Sequence, residues 1–244
     1  MIIHNIKQSI RGMRKNKVYT FFNITFFTTL FITIFNINNA LGQSITKELT
    51  INDFNKISVS NGIEVYLVFD DTKQVAITCE KDIIDNIQVS VKNETLIIGY
   101  KNLVCQQYNK NNHSNIQVTV HAKYIKSLKT ASAGRITWEG TLVIDKLLLN
   151  CSYAGHMNGN INSNKIIANL SSAGSYKGEI NTPKAIFNLS SAAEAKVTGS
   201  INTLVVNASS ASTFRGIGIV YENFEGNTNS MAKTYLSTSK KNKK

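Results

Sequence analysis

Asn150-Cys151-Ser152-Tyr153-Ala154-Gly155, Asn169-Leu170-Ser171-Ser172-Ala173-Gly174, Asn188-Leu189-Ser190-Ser191-Ala192-Ala193 and Asn207-Ala208-Ser209-Ser210-Ala211-Ser212 are four copies of one pattern. Their asparagines stand 19 residues apart, and so do Ser152, Ser171, Ser190 and Ser209. Upstream, Ser132-Ala133-Gly134 precedes Tyr153-Ala154-Gly155 by 21 residues; downstream, a weaker copy, Asn227 to Ala232, follows at an offset of 20. Each copy opens on an apolar run (Leu147-Leu148-Leu149, Ile166-Ile167-Ala168, Ala185-Ile186-Phe187, Leu204-Val205-Val206) and later passes a glycine (Gly140, Gly159, Gly178, Gly199, Gly216).

A fixed period near 20 is the mark of a solenoid, whose coils cannot bury their apolar face alone and must stack. Stacking sets equivalent residues about 4.8 Å apart, the spacing of paired strands. A column of asparagines, here Asn150, Asn169, Asn188 and Asn207, then pairs amide to amide, and small residues at the Ser-Ala-Gly corner let the chain turn tightly. Helical periodicity is missing, as is the leucine spacing of leucine-rich repeats. The reading is an all-β, parallel β-helix-like solenoid with coils of about 19 residues over 128–238. It shares one domain with a β region over 43–127, and a lysine-rich tail occupies 239–244.

Within the β region, Ile57-Ser58-Val59 and Ile63 to Phe69 read as half-buried strands around an Asn61-Gly62 turn. Val75-Ala76-Ile77 and Ile116 to Val120 are further strands. Asp82 to Asn86 reads as one helical turn. Ile87 to Val91 and Thr95 to Ile98 make a hairpin around Lys92-Asn93-Glu94. Residues 101–115, rich in Asn and Gln, read as a loop.

The N-terminus is basic, then apolar, then small. Lys7, Arg11, Arg14, Lys15 and Lys17 are followed by an uncharged run from Val18 to Ile37, and then by Ala40-Leu41-Gly42. Residues 1–42 read as a secretory signal peptide cut before Gln43, with Met13 as an alternative start. The apolar run is long enough that an uncleaved anchor is the rival. The chain is therefore expected to be exported, to the periplasm, the outer surface or the medium, with no stable membrane span once the signal is removed. Most of the net charge of +12 lies in the five cations of this leader and in Lys240, Lys241, Lys243 and Lys244, and the rest of the chain shows no basic stripe interleaved with aromatics. A nucleic-acid partner is not expected. Of the cysteines Cys79, Cys105 and Cys151, none forms a CxxC; Cys79 and Cys105 either pair in an oxidising compartment or stay as buried thiols.

No cofactor or metal motif is present, the lone histidines His113, His121 and His156 having no partner at ligand spacing. Acids within the repeats fall at unlike positions and share no column. Glu222 and Glu225 are neighbours in sequence and are the one pair that a carbohydrate-active β-helix enzyme would use. Arg135, Trp138, His156, Tyr176 and Phe214 follow the corner in different coils. If that turn faces solvent they form an aromatic and basic strip suited to a glycan or protein ligand.

The leader, the stretch Phe54-Asn55-Lys56-Ile57-Ser58-Val59-Ser60-Asn61-Gly62-Ile63-Glu64-Val65-Tyr66-Leu67, the stretch Val89 to Ile98 and the Ser-Ala-Gly/Asn repeats together resemble the auto-transporter adhesin head GIN domain family, over about residues 53–238. The resemblance implies a right-handed β-helix-like fold in an exported bacterial protein of adhesive type, and supplies no functional residues. No segment for a membrane β-barrel follows the repeats, so display by the auto-transporter route is not expected. The expected function is a non-enzymatic binding module of the cell envelope or surface. The alternatives are a periplasmic structural or signalling module that self-associates through its solenoid edges, and the β-helix enzyme.

Overall fold

The computed structural model describes residues 44–102 and 116–237. The expected leader and cleavage site, most of the loop expected over 101–115 with Cys105 and His113, and the lysine-rich tail lie outside these residues, and with Cys105 the alternative in which it pairs with Cys79. Fifteen strands form a single sheet, in chain order β1 (Ser44–Thr50), β2 (Lys56–Val59), β3 (Glu64–Val68), β4 (Gln74–Glu80), β5 (Ile87–Lys92), β6 (Thr95–Tyr100), β7 (Gln117–His121), β8 (Ser127–Thr130), β9 (Arg135–Cys151), β10 (His156–Leu170), β11 (Ser175–Leu189), β12 (Glu194–Ala208), β13 (Thr213–Ile217), β14 (Val220–Thr228) and β15 (Lys233–Ser237). Among the described residues the one helical turn, Ile84–Asn86, falls inside the segment where the sequence places it.

From β9 onward each coil stacks on the one before in parallel register, with Asn150, Asn169, Asn188 and Asn207 aligned. Along each coil apolar residues point inward at every second position, and the alternation slips once, at Asp145-Lys146, Asn164-Lys165, Pro183-Lys184 and Asn202-Thr203. At that bend two neighbours both face outward. Pro183, the chain's single proline, sits there exposed, where its missing N–H costs little.

The interior columns balance volume. Val65, Ile136, Met157, Tyr176, Ala195 and Phe214 stack in register, all buried. Alternation of large with small keeps the coils at strand spacing without voids. Phe187 meets Phe214 edge to face at 5.0 Å between ring centres. Buried Tyr176 donates its hydroxyl to the Gly159 carbonyl at 2.8 Å, and Trp138 donates its indole N–H to the Asn160 carbonyl at 2.9 Å. The glycines of the later turn therefore have different tasks. A Cβ on Gly159 would stand 2.1 Å from Cε2 of Trp138, so this glycine makes room for the indole inside a strand rather than turning the chain.

The corners are type I′ turns. In Ser132-Ala133, Tyr153-Ala154, Ser172-Ala173, Ser191-Ala192, Ser210-Ala211 and Ser230-Met231 both residues have φ between 48° and 62°. An i to i+3 bond closes each turn, as from Gly174 N–H to Ser171 C=O at 2.8 Å. The second residue then donates its N–H to the first residue of the next corner, as Ala173 does to Ser191 at 2.9 Å. The left-handed residues are thus the pair before the glycine, whose own requirement is space. An L-residue in this conformation loses roughly 1–2 kcal/mol. Ala192, exposed at φ 60°, tests this: Ala192→Gly is expected to stabilise the protein by about 1 kcal/mol in denaturant unfolding, and a loss of stability would contradict the account.

The solenoid also reaches back across residue 128, the start of the Ser-Ala-Gly repeats. Asn61 and Gly62 (φ 63° and 73°) form a corner of the same kind, with Gly62 N–H donating to Ser132 C=O at 2.9 Å. The strands on either side of it do not pair as a hairpin. Instead β2 lies parallel between β6 and β8, and β3 lies parallel between β7 and β9. Segment 56–68 is therefore a coil held between the coil of β6 and β7 and the first Ser-Ala-Gly coil. Antiparallel pairs, β1 with β4 and β5 with β6, close that end of the stack. β1 is a strand that the sequence reading omits. The β5–β6 hairpin turns at Asn93 and Glu94 as expected.

Cys79 and Cys151 are buried thiols. Burial pushes the Cys151 thiol up to about 12, against smaller opposing hydrogen bonds with Thr130 and the Ser175 carbonyl. Alkylation by iodoacetamide at pH 8 is expected to spare Cys151 in the folded protein and to label it after unfolding. Labelling of the native protein at that residue would contradict its placement.

Candidate functional site

The strands that leave the Ser-Ala-Gly corner carry the expected strip, and they divide it by parity. Arg135 and His156 face outward in one register column. Trp138, Tyr176 and Phe214 point the other way and are buried at 5%, 1% and 0% exposure, so the strip of five is corrected to two. The physical reason is the alternation itself: the first residue after the corner faces solvent, the second joins the Ile136–Met157 column, and the fourth is again inward.

What reaches solvent beside them is a second outward column, Tyr66, Thr137, Asn158, Lys177, Lys196, Arg215 and Tyr235, in continuous register. Its middle is three cations stacked at strand spacing, an arrangement that repels itself. Glu194 in the neighbouring column relieves part of the charge, at 3.0 Å from Arg215 Nε and 3.1 Å from Lys196 Nζ. Partial burial pushes the Glu194 carboxyl up, but the hydrogen bonds and charges of Lys196 and Arg215 outweigh it and hold the group below its usual range. Lys177 has no ion-pair partner among the described residues.

Above these cations lies an open groove of about 390 Å³, with Asn158, Asn160, Lys177, Lys196, Arg215 and Ile217 on its sides and Gly178 and Val197 between them. A register shift between Asn158 and Asn160 shapes it. Asn160 Oδ1 already accepts the Glu179 N–H at 3.0 Å, which fixes that side chain. The Arg215 guanidinium stands 4.9 Å from the centre of the Tyr235 ring. Nearby, His156 shares a 2.6 Å hydrogen bond with Ser175 Oγ. Burial first, and the Arg135 charge second, lower its pKa and favour the neutral imidazole. The groove thus offers three cations against one lining carboxylate, Glu179, which accepts the Asn181 amide at 2.9 Å, together with amide groups and a small apolar floor, a set that fits an acidic, hydroxyl-rich ligand.

The asparagine ladder is formed on another face. Asn169, Asn188 and Asn207 each donate Nδ2 to Oδ1 of the asparagine one coil earlier, at 3.0, 2.9 and 2.9 Å, and Asn227 extends the run at 3.2 Å. These amides are engaged with each other. Glu222 and Glu225 lie exposed on β14 in different columns, with Glu225 in register with Val205. Among the described residues no three His, Cys, Asp or Glu side chains converge on a point.

The sequence reading missed Lys177, Lys196 and Arg215, although they stand 19 residues apart like the asparagines. The signal was the period applied to cations rather than to the corner.

A family model described as "Putative auto-transporter adhesin, head GIN domain" matches residues 53–243. No curated protein matches the chain. Among solved structures, one from Parabacteroides distasonis named a putative lipid binding protein is similar at 16% identity and a TM-score of 0.62, over 82% of this chain and 93% of that one. One from Bacteroides fragilis named a putative adhesin has 20% identity and a TM-score of 0.49, over 81% and 96%. At such identities the likeness to the first is one of fold.

Proposed function

Since the chain belongs to the family described as putative auto-transporter adhesin, head GIN domain, we propose that it is an exported binding protein, without catalysis, that holds an acidic glycan in the groove over Lys177, Lys196 and Arg215. The observation that carries this is the cation column in register beside the Asn158 and Asn160 amides. Carboxylate or sulfate groups along a glycan neutralise the stacked charges, and the amides meet its hydroxyls. A stiff body of stacked coils presents these groups without reorganisation, which favours affinity from shallow contact. Export, an expectation from the N-terminal sequence, agrees with an adhesive role. No helix among the described residues is long and apolar enough to cross a membrane.

Retention on immobilised uronate or sulfated polysaccharide is expected, with little on a neutral one, and the joint variant Lys177→Gln, Lys196→Gln is expected to weaken it tenfold or more. Equal retention on acidic and neutral polymers, or no effect of the variant, would contradict the proposal.

A second reading, self-association, is favoured by the far end of the stack. There, among the described residues, β14 pairs only with β12 and β15 only with β13, and Phe224, Met231 and Tyr235 are exposed. Unpaired edges of this kind template another chain. Sedimentation of the purified protein separates the two readings: a dimer supports association, a monomer at all concentrations removes it.

A further inference from the structure

On the strand that enters the Ser-Ala-Gly corner, four outward columns run along the solenoid. Lys146, Lys165 and Lys184 form the first in register, Leu148, Ile167, Ile186 and Val205 the second, and the asparagines and serines the other two. The middle residue of each apolar triplet therefore lies on the outside, half-buried. An aliphatic column there leaves apolar surface in water, and the lysine stack beside it repels itself. The ion pairs of the described residues leave Lys126, Lys165 and Lys184 without a partner. The acid beside the lysines, Asp145, stands 4.0 Å from Lys146 and accepts the Asn164 amide at 2.7 Å; a second, Glu225, follows Val205 at the far end of the aliphatic column, away from the lysine groove. Next to Leu148 the surface dips into a groove of about 310 Å³ between Tyr124, Lys126, Lys146, Leu148, Lys165 and Ile167. Lys126 Nζ lies there, 5.5 Å from the Tyr124 ring centre.

We propose that this face binds a single-chain anionic amphiphile, an acyl chain ending in an acid group, with its head among Lys126, Lys146 and Lys165 and its chain along Leu148, Ile167, Ile186 and Val205. Both halves of the ligand are matched: the lysines outnumber Asp145, and the aliphatic column starts at their groove. Its length agrees as well. Four coils at strand spacing span about 14 Å, close to half the hydrocarbon thickness of a bilayer, which is the reach of one acyl chain. The site shares no residue with the Lys177 groove, so it stands or falls separately from the glycan reading.

Calorimetric titration of the purified full chain with dodecanoate below its micelle concentration is expected to show saturable one-to-one binding. Dodecanol should bind more weakly, and shorter acids should lose up to about fourfold per methylene removed. The variant Lys146→Gln, Lys165→Gln changes surface residues only; it should weaken dodecanoate tenfold or more, and leave retention on acidic polysaccharide unchanged. Ile167→Asn should weaken it comparably. No saturable uptake, uptake indifferent to the lysine variant, or binding to anionic vesicles without any to free dodecanoate would overturn the proposal.

Discussion

Leucine in place of Gly174 is expected to destabilise the protein by about 3 kcal/mol or more, the upper range for overpacking a close-packed interior. A Cβ on Gly174 would stand 2.4 Å from the Cys151 carbonyl oxygen and 2.9 Å from that of Ser171, and both neighbours are backbone. A flexible side chain could give way, but the coil below cannot move without disturbing the Ser171 N–H bond to Cys151 C=O at 2.9 Å. Alanine brings the same Cβ contacts and should also destabilise, but by less than leucine, which must place three further carbons in the corner; Ala193 and Ser212 at the equivalent place in the next two coils show that a coil can be built around a Cβ. Denaturant unfolding of the two variants would check the ordering, and equal effects would contradict the crowding. The sequence suggests the same crowding at Ala192, but that residue is exposed and its constraint is the sign of φ.

Asn188→Ala is expected to cost about 1–3 kcal/mol, because it removes two amide hydrogen bonds, each contributing about 0.5–1.5 kcal/mol net. Asn188 donates to Asn169 and accepts from Asn207, both at 2.9 Å, so its loss strands one partner on each side. Lys184→Ala, a few residues away and exposed, should fall within about 0.5 kcal/mol of the parent. The difference between the two in chemical unfolding measures the ladder. Equal and negligible effects would show that the amides add nothing to stability.

The repeated coils were legible because one period governs them. Asn150 to Asn207 announce the stack, and the ladder appears where the period places it. The coil at 56–68 was harder to see. Its corner is spelled Asn61-Gly62, and its neighbours on one side, β6 and β7, come later in the chain, separated in sequence by residues 101–116, which carry no copy of the corner pattern. Stacking order and chain order differ there, and no periodicity within the sequence records that.

The candidate site was legible in its strands but not in its residues. Arg135 and Trp138 lie three apart and so on opposite sides of a strand. Tyr176 and Phe214 align with Met157 and Ala195, which marks them as interior. Residues compared by column rather than by distance from the corner would have returned Lys177, Lys196 and Arg215. The same comparison finds Lys146, Lys165 and Lys184, and shows that Ile167 and Ile186 sit in the middle of triplets whose outer members are buried. An apolar triplet on an alternating strand must put one member outside, and that rule needs only the sequence.

Limited proteolysis of intact cells, with a periplasmic protein followed as control, tests most directly whether this is an exported protein that meets its ligand at the cell surface. The account predicts that external protease removes the chain while the periplasmic protein survives. Protection of both, with digestion only after the outer envelope is permeabilised, would contradict a role in adhesion.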